Sequence, residues 1–266
     1  YTFALLPTYP GDTHGAACGV NSLGDIVGGS GGLGLGSYPR AVRFTSAAAV
    51  LLPGIGTPAD VNEHRVVVAS NVLLDLDTMQ TTTIPLPTGN WQGVIATDIS
   101  DSGNICGSIL GFSGCSNFPL RHRPGIGWEF VGGCASSTSA TSVNDRGDAL
   151  AYVANTSSWV RFVGEENIDL STLIDPSQGT WSVRSASVIA DNRMVLAGAI
   201  PAGSSVTRLV RLVPSLPEDL DGDGPVGAAD LAILLGAWGT AGSAADLDGS
   251  GLVDAADLSQ LLAAWG

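Results

Sequence analysis

The chain has 266 residues, 44% of them hydrophobic, and a positive mean hydropathy, which excludes disorder as its dominant state and leaves room for a sizeable core. Only 14% of residues are charged while 36 are glycine, a balance that favours short strands and tight turns over helices. The net charge of −14 comes from 25 acids against 11 bases, all of them arginine, which argues against a nucleic-acid partner, and no apolar run reaches the roughly 18 to 20 residues that cross a bilayer.

The chain opens at Tyr1 with neither a methionine nor a leader, and the expectation is a processed form of a secreted protein, extracellular or on a cell surface. Phe3-Ala4-Leu5-Leu6-Pro7 reads as a lone apolar strand. From residue 16 to residue 200 a unit of strand, polar turn and strand recurs five times. Its clearest copies are Ala17 to Gly28 and Ala96 to Gly107, and others start at Ala59, Thr141 and Ser187. With Val20, Val61, Ile99, Val143 and Ile189 as equivalents, the steps are 41, 38, 44 and 46 residues, one sheet-sized unit each.

In the polar turn Asn or Ser closes the bend through its side chain, and Gly supplies a positive φ. Arg65 and Arg193 replace that glycine in the second and fifth copies, where a different turn is expected. A third strand carrying arginine follows, at Arg40 to Phe44, Leu120 to Arg123, Trp159 to Phe162 and Arg208 to Leu212. A fourth is visible at Ala49 to Gly54 and Thr83 to Pro87.

Four strands per unit of this length is the spacing of propeller blades. The expected architecture is therefore mainly β, a five-bladed propeller over residues 1–214, with a small helical module over residues 215–266. The fifth unit lacks a fourth strand, so Phe3, Ala4, Leu5 and Leu6 would complete it, in the same molecule or in a neighbour, the second choice building a chain of subunits. The turn and Ile-Val-Gly pattern resembles the bacterial extracellular repeats named HAF, whose His-Ala-Phe segment here reads Arg40-Ala41-Val42. That resemblance implies a secreted repeat protein and says little about activity.

Nine of the acids fall between Glu218 and Asp257, and no base follows Arg211. Residues 219–230 place carboxylates Asp219, Asp221, Asp223 and Asp230 at positions 1, 3, 5 and 12 of a loop, with Gly224 at 6 and Val226 at 8. This is the spacing of a calcium loop, in which alternate oxygens converge on a hard cation. A copy lies 27 residues on, from Asp246 to Asp257, so two Ca2+ sites are expected; Pro225 and Leu252 would add carbonyls. Each loop runs into a helix, Ala228 to Trp238 and Ala255 to Trp265.

A duplicated loop and helix without a preceding helix resembles the dockerin module, which in its family plugs secreted proteins into cohesin receptors. The resemblance covers residues 217–266 and implies Asp246, Asp248, Ser250 and Asp257 as the second ligand set, with Asp254 acting through water. It also implies that positions 10 and 11, here Ala228-Ala229 and Ala255-Ala256, face a partner; the alanine pairs suit a dry surface on the chain itself or on the next subunit.

Catalytic signals are weak. Gly28 to Gly32 formally contains Gly-x-Ser-x-Gly, which reads better as a glycine-rich loop between strands than as a nucleophile elbow. His14, His64 and His122 lack metal spacing, and Asp60 and Asp98 stand at equivalent places where they could pair. Arg43, Arg121, Arg123, Arg161 and Arg211 would form either an anion ring or salt bridges. Cys115 and Cys134 are the disulfide candidate, worth about 3 kcal/mol, while Cys18 and Cys106 read as buried fillers. The expectation is a non-enzymatic, calcium-binding attachment protein whose partner is another protein or itself, with a glycan-binding or glycan-cleaving propeller docked to a scaffold as the alternative.

Overall fold

A computed structural model describes residues 5–32, 40–111, 117–132, 138–153, 157–162, 164, 166–214, 216–222 and 226–265. The chain divides into two compact units, Tyr1–Ile189 with Leu196–Val210, and Ala190–Val195 with Arg211–Gly266. Antiparallel strands build the first and two short helices the second.

Five separate sheets follow one another along the chain. The first holds β1 (His14–Val20), β2 (Ile26–Gly31), β3 (Arg40–Phe44) and β4 (Ala49–Leu51), each strand pairing with the next. The second is the same meander of β5 (Asp60–Val61), β6 (Val66–Ala69), β7 (Val72–Asp75) and β8 (Thr81–Thr83). The third contains β9 (Gly93–Ile99), β10 (Ile105–Leu110), β11 (Asn117–Arg123) and β12 (Gly127–Phe130). The fourth contains β13 (Thr138–Val143), β14 (Ala149–Val153), β15 (Ser157–Arg161) and β16 (Asn167–Asp169). The fifth has three strands, β17 (Trp181–Ile189), β18 (Val195–Pro201) and β19 (Arg208–Leu212).

No single sheet encloses a core, so apolar faces are buried between neighbours. Val27 of β2 packs with Val61, Val67 and Leu74 of the second sheet. Val68 packs with Ala96, Ile99 and Ile105 of the third. Cys106 and Val131 pack with Ala140, Val143, Ala149 and Ala151 of the fourth.

Polar side chains then fix the register between sheets. Asn21 Nδ2 donates to the Asn62 carbonyl at 3.0 Å, and Asn62 Nδ2 donates to the Ser100 carbonyl at 3.0 Å. The Oδ1 atoms of Asn21 and Asn62 meanwhile accept the N–H groups of Asp25 and Val66, closing their own turns. Ser100 is too short to reach onward; Asn104 takes over and donates to the Asn144 carbonyl at 3.2 Å. A second series starts at β-bulges opposite β2, β10 and β14, which fall at Cys18, Thr97 and Thr141. The bulge re-aims the side chain, so Thr97 Oγ1 donates to the Ala140 carbonyl at 2.7 Å and Thr141 Oγ1 to the Ala186 carbonyl at 3.0 Å. The bulges also bring backbones close: a Cβ on Gly28 would lie 2.0 Å from the Ala16 carbonyl oxygen, and one on Gly107 2.2 Å from that of Ile95.

The closed propeller expected from the spacing is not what these pairings form. The sheets are separate, none closes into a barrel or ring, and the fifth has no fourth strand among the described residues. Leu5 and Leu6 lie in no strand and Leu5 is 88% exposed, so neither adds to the fifth sheet; Phe3 and Ala4 lie outside the described residues. The turn series also stops there, because Ala190 stands where Asn21 and Asn62 carry amides.

Three smaller expectations change. The turns at Arg65 and Arg193 are built like the others: each arginine takes the glycine's left-handed place, with φ of 62° and 64°, and its N–H bonds the residue three back. Gly28 to Gly31 belong to β2 rather than a loop, because that strand runs against the bulge of β1. The fourth strand of the second unit is Thr81–Thr83, earlier than Thr83 to Pro87.

Asn62→Ala is expected to lower stability by about 2 to 4 kcal/mol, since it strands a buried carbonyl and a turn N–H together. Ser22→Ala, which removes an exposed bond to Glu63, should cost under about 1 kcal/mol. Urea unfolding of the two variants checks the contrast.

Candidate metal centre

In the second unit α1 (Ala228–Gly236) and α2 (Ala255–Ala263) pack through Leu234 and Leu261, with Val226, Ala245 and Val253 completing a small core. Both helices end two residues before the tryptophan that the sequence pattern included. Val226 and Val253 occupy the same loop position, so each loop is anchored by one buried β-branched residue.

Each loop is organised from its last residue. Asp230 Oδ1 accepts the N–H groups of Leu220 at 2.7 Å and Asp221 at 3.1 Å, and its Oδ2 accepts that of Gly227 at 2.7 Å. Asp257 repeats the pattern with Leu247 at 2.7 Å, Asp248 at 3.1 Å and Asp254 at 2.7 Å. Burial works to raise the Asp230 carboxyl, but the N–H groups of Gly227, Asp221 and Leu220 outweigh it and hold the group below its ordinary range. The N–H groups of Asp254 and Asp248 hold Asp257 down in the same way, against a smaller effect of burial. Both carboxylates therefore stay ionised while clamping the loop start onto the helix start.

The other carboxylates turn toward them. Oxygens of Asp219, Asp221 and Asp230 lie within 4.8 Å of one another, as do those of Asp246, Asp248 and Asp257. Gly222 and Gly249 adopt φ of 75° and 71°, which lets each chain fold back over its acids. Asp219 Oδ1 accepts the Gly222 N–H and Asp246 Oδ2 the Gly251 N–H, both at 2.9 Å.

Three carboxylates this close repel unless a proton or cation intervenes. In the sequence no base follows Arg211. Moreover, Asp246 Oδ1 is buried with no hydrogen-bond partner. An all-oxygen set with one orphaned oxygen fits a hard divalent cation such as Ca2+.

Of the other expected ligands, Asp223 and Pro225 lie outside the described residues. Ser250 donates from Oγ to the Leu252 carbonyl at 3.2 Å, and Asp254 caps α2 by accepting the Ala256 N–H at 2.8 Å. The backbone-clamping role of Asp230 and Asp257 was missed by the loop pattern, which assigns them only as ligands. An Asp three residues after each helix cap was the signal available. Glu218, just ahead of the first loop, accepts a bond from Gln260 of α2 at 2.8 Å and ties the two copies together.

Elsewhere, burial first, and the neighbouring Asp98 second, push the Asp60 carboxyl up to about 7. Of the third-strand arginines, Arg43 reaches Asp25 at 2.5 Å, and Arg121, Arg123 and Arg161 surround Glu129 at 3.1, 2.7 and 3.6 Å. Cys106 is buried as expected, whereas Cys18 is exposed at its bulge; Cys115 and Cys134 lie outside the described residues. Ala228, Ala229, Ala255 and Ala256 are all exposed.

No family model and no curated protein matches the chain. Among solved structures it is similar to the extracellular domain of a one-component system from B. thetaiotaomicron, with 12% identity and a TM-score of 0.47. That likeness covers 77% of this chain and 28% of the other. Among the described residues no helix is long and apolar enough to cross a membrane.

Two variants separate clamp from ligand. Asp257→Ala should loosen the second loop and reduce helical circular dichroism even without metal. Asp248→Asn should leave the metal-free spectrum unchanged while weakening calcium binding on the order of tenfold, read by calorimetry.

Proposed function

We propose that the chain is a non-enzymatic, calcium-binding attachment protein of the extracellular space, whose dockerin-like second unit is set by two Ca2+ ions. The observation that carries this reading is the pair of carboxylate triads, built alike from residues 27 apart. Outside cells calcium is abundant enough for sites of about 10−4 to 10−3 M affinity to fill. Filling them would turn a self-repelling acidic segment into a rigid module.

Two surfaces support attachment. Leu235 and Leu262 are each 52% exposed, and Trp238 and Trp265 are 45% and 44% exposed, so the duplication displays the same apolar pair twice beside the exposed alanines. β19 is the edge of its sheet, its second side pairs with no described strand, and Leu209 within it is 78% exposed. An open edge of this kind accepts an extended segment by strand addition. The apolar stretch Phe3 to Leu6 of a second copy is the occupant in this reading, giving a chain of subunits.

Light scattering and electron microscopy of the purified protein test both parts. Assemblies should shrink when calcium is chelated and disappear when Tyr1 to Pro7 are deleted. Assemblies that survive both treatments would contradict the reading.

A further inference from the structure

A cleft of about 490 Å³ opens between β1 and β5, within the range that takes a small molecule. Its walls are apolar: Leu6 from the N-terminal segment, Ala17 and Val20 from β1, and Ile26 from β2. Leu6 and Val20 stay 41% and 65% exposed, so part of that apolar surface faces water. The repeat explains why the space is there. Gly19 precedes Val20 as Asp60 precedes Val61 and Asp98 precedes Ile99, so the first sheet has no side chain where the next two carry an acid. A Cβ on Gly19 would lie 2.4 Å from Asp60 Oδ1 and 2.8 Å from Asp60 Cα. The bare glycine thus lets the Asp60 carboxyl come up against β1 and line the cleft.

Asp60 is the charged group among the described lining residues, and its own chain gives it no cation. Other acids near it in the fold are engaged. Asp12 pairs with Arg40 at 2.6 Å, and Asp25 with Arg43 and Arg65 at 2.5 and 2.8 Å. Asp98 Oδ2 accepts the Val143 N–H at 2.9 Å. Asp60 belongs to no ion pair among the described residues. A carboxylate without a counter-ion in the wall of an apolar cleft selects the converse pattern, an apolar body carrying one cationic donor. An anionic ligand would be repelled by Asp60 and by the net charge of −14. The chain contains no lysine, so the side-chain amine of a second copy is not the occupant.

We propose that this cleft binds a small organic ammonium, with its apolar body against Leu6, Val20 and Ile26 and its cationic head hydrogen-bonded to the Asp60 carboxylate. Burial penalises the charged form of Asp60, and a cation held against it offsets that penalty. The Cys18 thiol stands in the same wall and is exposed, so its reactivity reports whether the cleft is filled.

Alkylation of Cys18 by iodoacetamide, followed by peptide mass spectrometry at about pH 8, where Asp60 is ionised, reads the occupancy. Hexylamine at about 10 mM should slow the reaction about tenfold for a dissociation constant of about 1 mM. Hexanol and methylamine at the same concentration should each slow it less than about twofold. Asp60→Asn should lose the protection by hexylamine, measured against its own rate without ligand. Equal protection by hexanol would leave the carboxylate no part, and equal protection by methylamine would reduce the effect to screening. Either result, or no protection by hexylamine, overturns the proposal. Should Asp60→Asn not fold, nuclear Overhauser contacts between hexylamine and the parent protein carry the test. Contacts to the methyl groups of Leu6, Val20 and Ile26 support the site, and their absence refutes it.

Discussion

The body of this protein depends on side-chain amides and hydroxyls that reach from one small sheet to the backbone of the next. A sheet of three or four short strands still has an apolar face to cover, and apolar packing by itself does not fix how neighbouring sheets align. Asn21 and Asn62 each close their own turn with Oδ1 and bond the following sheet with Nδ2. One residue type thereby performs local and long-range work, which explains why the turn recurs with so little variation. One substitution is compensated: where Ser100 cannot reach, Asn104 does.

A comparable economy governs the second unit. Asp230 and Asp257 each satisfy three backbone N–H groups and each belong to a carboxylate cluster. Folding the loop and assembling the ligand set are thus a single event, and any cation bound there would stabilise the helices through bonds that already exist.

Much of this was legible in the sequence. The five turn units gave five sheets, and the paired loops gave two helices beginning where expected. The equivalence of Asp60 and Asp98 signalled a pair that the structure makes neighbours. β7 went unseen because Val72 to Asp75 carry no arginine of the kind that marked other third strands. Gly28 to Gly31 looked like a loop because composition cannot report that a neighbouring bulge leaves no room for a Cβ. Arg65 in a left-handed turn was hidden too: its conformational cost is offset by bonds to Asp25 and Asp77, residues far off along the chain. Ring closure was the largest error. Repeat spacing counts units, but says nothing about whether the last sheet pairs with the first.

The carboxylate clusters matter most for what the protein does, and their occupancy can be counted directly. Calcium titrated into chelator-treated protein, with magnesium in excess and binding followed by calorimetry, should saturate at two ions per chain. Saturation should be accompanied by a gain in helical circular dichroism from the second unit. No heat and no spectral change at millimolar calcium would contradict the account.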